Sequence, residues 1–133
     1  MMSQDSKLEI YTDASISDKE NSWAFVINHN IFYCGVYPSL SDSSFHAELR
    51  AINEAVKWVN NQMIHNDVII YCDSNSVVNA CKSNTDRRNR IWSNIIKARN
   101  EGFQFQWVKR NTCDENALAD DLCSWALKAS LKS

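Results

Sequence analysis

Glycine and proline are nearly missing from this chain: 133 residues hold two Gly and one Pro. Tight turns must therefore be built mostly from Asn, Asp and Ser, whose short polar side chains tolerate or mimic turn conformations. No apolar run approaches the ~20 residues that a membrane-spanning helix needs. Residues 1–6 are polar and lack the apolar stretch of a secretory signal. No membrane association is expected, and the expected location is cytoplasmic. The histidines are only three, His29, His46 and His65, and too dispersed to suggest zinc. The cysteines, Cys34, Cys72, Cys81, Cys113 and Cys123, are odd in number and contain no CxxC pair. They read as reduced thiols, most of them filling the core. There is no internal repeat, linker or low-complexity tract, so residues 1–133 are expected to form one domain with its core at about 7–128.

What is present is bulk and patterned charge. Hydrophobic residues make up 44% and charged residues 23%, with five Trp, five Phe and four Tyr to fill a core. That composition argues against global disorder. The net charge of −2 is unevenly spread. Between Lys82 and Arg110 eight Lys and Arg face only Asp86 and Glu101, a net +6, while the rest of the chain carries −8. A basic segment on an otherwise acidic chain is the footprint of local phosphate docking, although a solvated helix would look similar.

Apolar periodicity gives the element order. Residues 7–13 alternate as a strand that ends at Asp13, and 14–21 read as a polar loop. Two further apolar runs, 22–28 and 31–37, are separated by Asn28, His29 and Asn30, which can form a tight hairpin without glycine. After a breaker-rich loop at 38–44, residues 45–62 read as a helix, with Leu49, Ile52, Val56 and Val59 at helical spacing and Ser43 or Ser44 as its cap. The run 68–72 reads as a buried parallel strand, followed by a helix entered at Ser74 and a basic helix at about 87–101. Residues 103–108 alternate again, and 115–130 form a last helix. Trp92 and Trp125 lie on helices and read as core residues. The class is α/β: a mixed five-stranded sheet, an antiparallel meander of strands one to three with strands one, four and five parallel, flanked by helices.

Four carboxylates carry the chemistry. Asp13 and Asp73 fall at the carboxyl ends of strands one and four, where ligands gather in open α/β sheets. Glu48 lies in the first turn of the first long helix and Asp120 in the first turns of the last one. Singly, each has an ordinary explanation as a turn former, cap or surface acid. Jointly they would crowd one sheet edge and repel one another. Hard divalent cations relieve that repulsion, and two of them ~3.5–4 Å apart clamp both oxygens of a phosphodiester displacement. His46 stands two residues from Glu48 and so points to a different face, which makes it a structural or substrate-flanking residue.

In the motifs YTDAS (Asp13), HAELRAI (Glu48), YCDSNSVV (Asp73) and ENALAD (Asp120), the sequence resembles the ribonuclease H type 1 family from about residue 8 to about 127. The resemblance implies the RNase H-like fold and an endoribonuclease that cuts the RNA strand of RNA/DNA hybrids. It implies two Mg²⁺ ions, replaceable by Mn²⁺, and products with a 5′-phosphate and a 3′-hydroxyl. Asp13 would bridge both ions, Asp120 would complete the ion that activates water, and Glu48 and Asp73 would hold the ion at the leaving oxygen. Other superfamily branches fit less well, since the residue two past Asp13 is Ser15 rather than Glu, and Glu48 precedes Asp73. The implied substrate-facing positions are Ser15, Ser44, Phe45, Asn75, Arg87, Arg88, Arg90 and Asn111. Asn111 stands where the family often has a proton-transferring His, and Ser44 and Phe45 stand where it often reads RNA 2′-hydroxyls. These departures leave open an alternative: a non-catalytic or altered-specificity nucleic-acid-binding module of the same fold. A monomer is expected.

Overall fold

Alternating side chains of KLEIYTDASI place Leu8 and Ile10 in the core, and β1 (Lys7–Ile16) is the middle strand of the sheet. The computed structural model describes residues 7–28, 31–38, 43–62, 67–110 and 113–131. β1 runs three residues past Asp13, because Asp13, Ala14, Ser15 and Ile16 keep pairing with β2 (Glu20–Ile27). The segment expected to be a polar loop is therefore largely strand. Asn28 supplies the turn that glycine usually supplies. It adopts a left-handed conformation (φ 47°), and its Oδ1 accepts the Glu9 N–H at 2.8 Å. His29 and Asn30, the rest of that expected turn, lie outside the described residues.

β3 (Ile31–Pro38) pairs antiparallel with β2, while β4 (Asp67–Cys72) pairs parallel with β1 and β5 (Gln104–Trp107) parallel with β4. The order β3-β2-β1-β4-β5 is the expected mixed sheet. Side-chain parity on β2 separates its two faces. Phe25 meets Trp58 of α1 (Ser44–Asn61), whereas Ser22, of opposite parity, donates from Oγ to the Cys123 carbonyl of α4 (Asp114–Leu131) at 2.9 Å. α1 and α4 thus cover opposite faces. The α1 stripe of Leu49, Ile52, Val56 and Val59 is fully buried against Leu8, Ile10, Phe25 and Ile70. Each such side chain contributes roughly 1.5–3 kcal/mol of transfer free energy.

Helix ends follow local chemistry. The Ser43 Oγ accepts the His46 N–H at 3.3 Å and caps α1. α2 (Asn75–Ser83) enters at Ser74 as expected. α3 (Arg90–Asn100) starts later than the basic run suggested, because the Asn89 side chain accepts the Ile91 N–H at 2.8 Å. Arg88 is instead folded onto Asp86 in the preceding turn. α3 ends where Gly102, at φ 103°, lets the Phe103 N–H reach the Ala98 carbonyl and its own N–H reach Arg99, a Schellman motif. On α4 the buried stripe is Ala119, Cys123 and Ala126, and Trp125 falls off it. At 62% exposed, Trp125 is a surface residue rather than the expected core residue. Trp92 does pack against the core, beside Phe45.

The other glycine has a packing role. A Cβ at Gly35 would lie 2.6 Å from Cζ2 of Trp23, whose ring stacks on Phe25. Gly35→Ala is expected to destabilise the fold by about 1–3 kcal/mol through overpacking. A denaturant midpoint equal to that of the parent would contradict this packing.

Candidate active site

Asp13 and Asp73 occupy equivalent positions on neighbouring strands. β1 and β4 stay in parallel register up to Tyr11↔Tyr71, and each aspartate lies two residues beyond that pair. The Thr12 Oγ1 donates to the Tyr71 carbonyl at 3.0 Å and ties the strands where they part. Contrary to the sequence expectation, Asp13 does not close its strand, but it stands just past the end of the β1–β4 pairing.

The helices bring the other two acids. Glu48 is the fifth residue of α1, one residue deeper than the expected start at residue 45 would put it, because the helix starts at Ser44. The Cys72 thiol donates to its Oε2 at 3.6 Å. On α4, Cys123 donates from Sγ to the Asp13 carbonyl at 3.3 Å and anchors the helix on β1. Asp120 lies three residues earlier, on the same helix face. Arg110, in the segment before α4, joins the remaining pair: its guanidinium lies 3.2 Å from Asp120 Oδ1 and 3.9 Å from Asp73 Oδ2.

Electrostatically the cluster is loaded. Asp13 is 1% exposed. One of its oxygens accepts the Ala14 N–H at 2.9 Å, the other, Oδ2, is buried without a fixed donor, and the Glu48 carboxyl is close enough to share a proton with Asp13. Burial first, and then the charge of Asp73, push the Asp13 carboxyl well above the usual range. Glu48 is raised further by burial and by the charges of Asp13 and Asp73. Asp73 is raised by burial and pulled back by Arg110. Carboxylates held in this way favour either a proton or a cation. Ligand oxygens of Glu48 and Asp73 lie within 4.8 Å of each other and of the Cys72 sulfur. The donor set fits divalent cations: hard oxygens in excess, and like charges that Arg110 only partly offsets.

The other expected positions are spread around this centre. Ser44 and Asn75 are exposed first residues of α1 and α2, and Ser15 is half-buried on β1 opposite Ser22. Phe45 is half-buried and packs against the core beside Trp92. His46 is exposed, and its Nδ1 lies 2.9 Å from the Ser43 Oγ, in keeping with a structural role. Arg87, Arg88 and Arg90 are exposed in and after the turn before α3, and Arg88 is paired with Asp86 at 2.7 Å. Asn111 lies outside the described residues.

The sequence profile of the RNase H family matches residues 5–128. The chain belongs to the RNase H family. Its fold is that of solved RNase H structures. RNase H1 from the halophilic archaeon Halobacterium salinarum superposes with a TM-score of 0.72 at 17% identity, over 93% of this chain and 99% of that one. The N-terminal RNase H domain of a Mycobacterium tuberculosis protein gives 0.73 at 15% identity, over 95% and 96%. LC11-RNase H1, isolated from compost by a metagenomic approach and solved in complex with an RNA/DNA hybrid, gives 0.71 at 16% identity, over 93% and 99%. No curated protein matches the sequence.

Three features of this carboxylate cluster escaped sequence reasoning. Arg110 was visible only as one of eight basic residues, and nothing in its spacing pointed to Asp73 and Asp120. Cys72 shares the inward parity of Val68 and Ile70 and so reads as core filler, yet its sulfur faces Glu48. Trp107 closes β5 at 46% exposed, and its indole N–H donates to the Asp73 carbonyl at 3.2 Å.

Proposed function

We propose that this RNase H family member is an endonuclease that hydrolyses the RNA strand of RNA/DNA hybrids with two divalent ions, Mg²⁺ or in its place Mn²⁺. The products are a 5′-phosphate and a 3′-hydroxyl. The observation that carries the proposal is the meeting of Asp13, Glu48, Asp73 and Asp120, on or beside β1, α1, β4 and α4, with Asp13 1% exposed and Arg110 between Asp73 and Asp120. Family membership supports ribonuclease activity. The fold neighbour solved with an RNA/DNA hybrid supports the substrate class.

When bound, the metal ions neutralise the carboxylates and supply Lewis acidity at the scissile phosphate. Asp13 would contact both ions, Asp120 would complete the one that serves the attacking water, and Glu48 and Asp73 would hold the one at the leaving 3′ oxygen. The chain's own contribution is to hold these groups still. The Trp107 indole fixes the backbone at Asp73, the Cys72 thiol fixes Glu48, and Cys123 fixes the strand at Asp13. Exposed Arg87, Arg88 and Arg90 suit phosphate contacts that position a duplex. Ser15, Ser44, Phe45, Asn75 and Asn111 are the proposed substrate-facing residues, and reading of the 2′-hydroxyl would separate RNA from DNA. The proposal includes a monomer in a reducing, cytoplasmic setting, in keeping with five free cysteines. Among the described residues no helix is long and apolar enough to cross a membrane.

The test is incubation with end-labelled RNA/DNA hybrid, duplex RNA and duplex DNA, each with Mg²⁺, Mn²⁺ or chelator. Metal-dependent cutting of the hybrid's RNA strand alone is expected. Tight hybrid binding with no cutting would replace the enzyme with a binding module of the same fold.

A further inference from the structure

We infer that Arg110 is a phosphate clamp released by the divalent ions: without them it bridges Asp73 and Asp120, and with them its guanidinium holds a backbone phosphate of the nucleic acid. The inference rests on the proposed two-ion site and adds to it a residue that couples ion binding to substrate binding.

Arg110 is held by charge rather than by a complete set of hydrogen bonds. Arg88 shows what full engagement looks like in this chain: its Nε and Nη2 donate to both oxygens of Asp86 at 2.7–3.1 Å. Arg110 donates only from Nη2, to Asp120 Oδ1 at 3.2 Å, and its Nε stands 3.9 Å from Asp73 Oδ2, beyond hydrogen-bond range. A guanidinium carries five N–H groups, so four of those on Arg110 have no acceptor among the described residues. The side chain is 65% exposed. Its backbone is also past the sheet: the Val108 N–H reaches the Cys72 carbonyl at 3.0 Å and extends the β4–β5 ladder one residue beyond Trp107, and Arg110 lies two residues further on.

The same charges that hold Arg110 are the ones the ions would neutralise. Two dications among Asp13, Glu48, Asp73 and Asp120 cancel four carboxylate charges, and the attraction on the guanidinium disappears with them. What is left is an unengaged planar fork at the rim of the site, and that fork matches two oxygens of a phosphate. A lysine in this place would supply the charge without the fork. Because one residue serves both states, ion and hybrid should strengthen each other's binding, and by the same factor.

The experiment compares the parent with Arg110→Gln, which keeps most of the side-chain volume and drops the charge. Calorimetry at pH 8 reads Mn²⁺ affinity of the protein alone. Fluorescence anisotropy reads affinity for a labelled RNA/DNA hybrid in Ca²⁺ and in chelator, with a gel to verify that the hybrid stays intact. Arg110→Gln should bind Mn²⁺ about three- to tenfold more tightly, because a competing cation is gone. It should bind hybrid about tenfold more weakly in Ca²⁺ and equally well in chelator. Its salt dependence in Ca²⁺ should fall by about one phosphate contact. Arg110→Lys should keep the parent's Mn²⁺ affinity and recover only part of the hybrid affinity. The opposite signs carry the test, since a variant that merely damages the site loses both affinities, and that result would overturn the inference. Unchanged Mn²⁺ affinity, or hybrid affinity equal to the parent's in Ca²⁺, would overturn it too. Either of these in a protein that cuts the hybrid would remove the clamp and leave the nuclease reading standing. The expected pattern in a protein that cuts no hybrid would uphold the clamp and overturn the nuclease reading.

Discussion

Asp73→Asn is expected to lower metal-dependent cleavage of an RNA/DNA hybrid by at least about 10³-fold, about 4 kcal/mol of transition-state stabilisation, while leaving the fold intact. The substitution is nearly isosteric and removes one negative charge from a site that must hold divalent cations. It spares the contacts that shape the strand end. The Trp107 indole bonds to the backbone carbonyl of residue 73, and the Tyr11↔Tyr71 register lies upstream. Removing the charge also eases the repulsion that raises Glu48 and Asp13. The metal-free variant should therefore unfold at the same temperature as the parent or slightly higher. The measurements are single-turnover cleavage at saturating Mg²⁺ and thermal unfolding in chelator. Full activity would sink the assignment of Asp73, and with it the two-ion reading.

The second large effect is on stability. Burial and mutual repulsion raise Asp13 and Glu48 above their unfolded values. In the metal-free protein the folded state therefore keeps protons that the unfolded chain has released. Their contribution is fully present below the unfolded values, about pH 4, and is lost as pH rises through the folded ones. Without metal, stability should fall from about pH 4.5 upward through neutrality. Saturating Mg²⁺ or Mn²⁺ should reverse this trend, since protons compete with the ions and bound metal stabilises by mass action. At pH 8 a gap of roughly 2 kcal/mol, or about 5–10 °C in Tm, is expected between loaded and metal-free protein, shrinking towards pH 5. Scanning calorimetry across pH, with and without chelator, reads this directly. A metal-free Tm that rises with pH, or a Glu48→Gln variant with the parent's slope, would show that the carboxylates are not held as described.

The fold was legible because its signals are local and repeated. Period-two alternation in 7–13, the continuous run 68–72 and the helical stripe of Leu49, Ile52, Val56 and Val59 each bury one face, and the crossover helices leave few ways to join the strands. Boundaries were less legible where pairing partners decide them. Residues 14–16 look like loop, but β2 continues beside them and keeps them in the sheet. The basic run from residue 87 looks like helix, but Asn89 caps its start at Arg90 and Asp86 draws Arg88 into the turn before it. Trp125 looks like core because it is apolar, whereas the narrow stripe of small residues on α4 leaves no room for it.

The same division holds at the site. The sequence by itself determined the element order, the sheet class, the four carboxylates and the family motifs around them, because each depends on residues close together in the chain. Only the tertiary structure decided how these groups meet. Asp13 and Asp73 are aligned by a strand register, Asp120 is carried in by a thiol-to-carbonyl bond spanning 110 residues, and Arg110 bridges two carboxylates that belong to different elements. The thiol of Cys72 is inert filler by its alternation and a donor to Glu48 by its position. Such relations depend on distances across the sheet edge, and spacing along a chain carries no record of them.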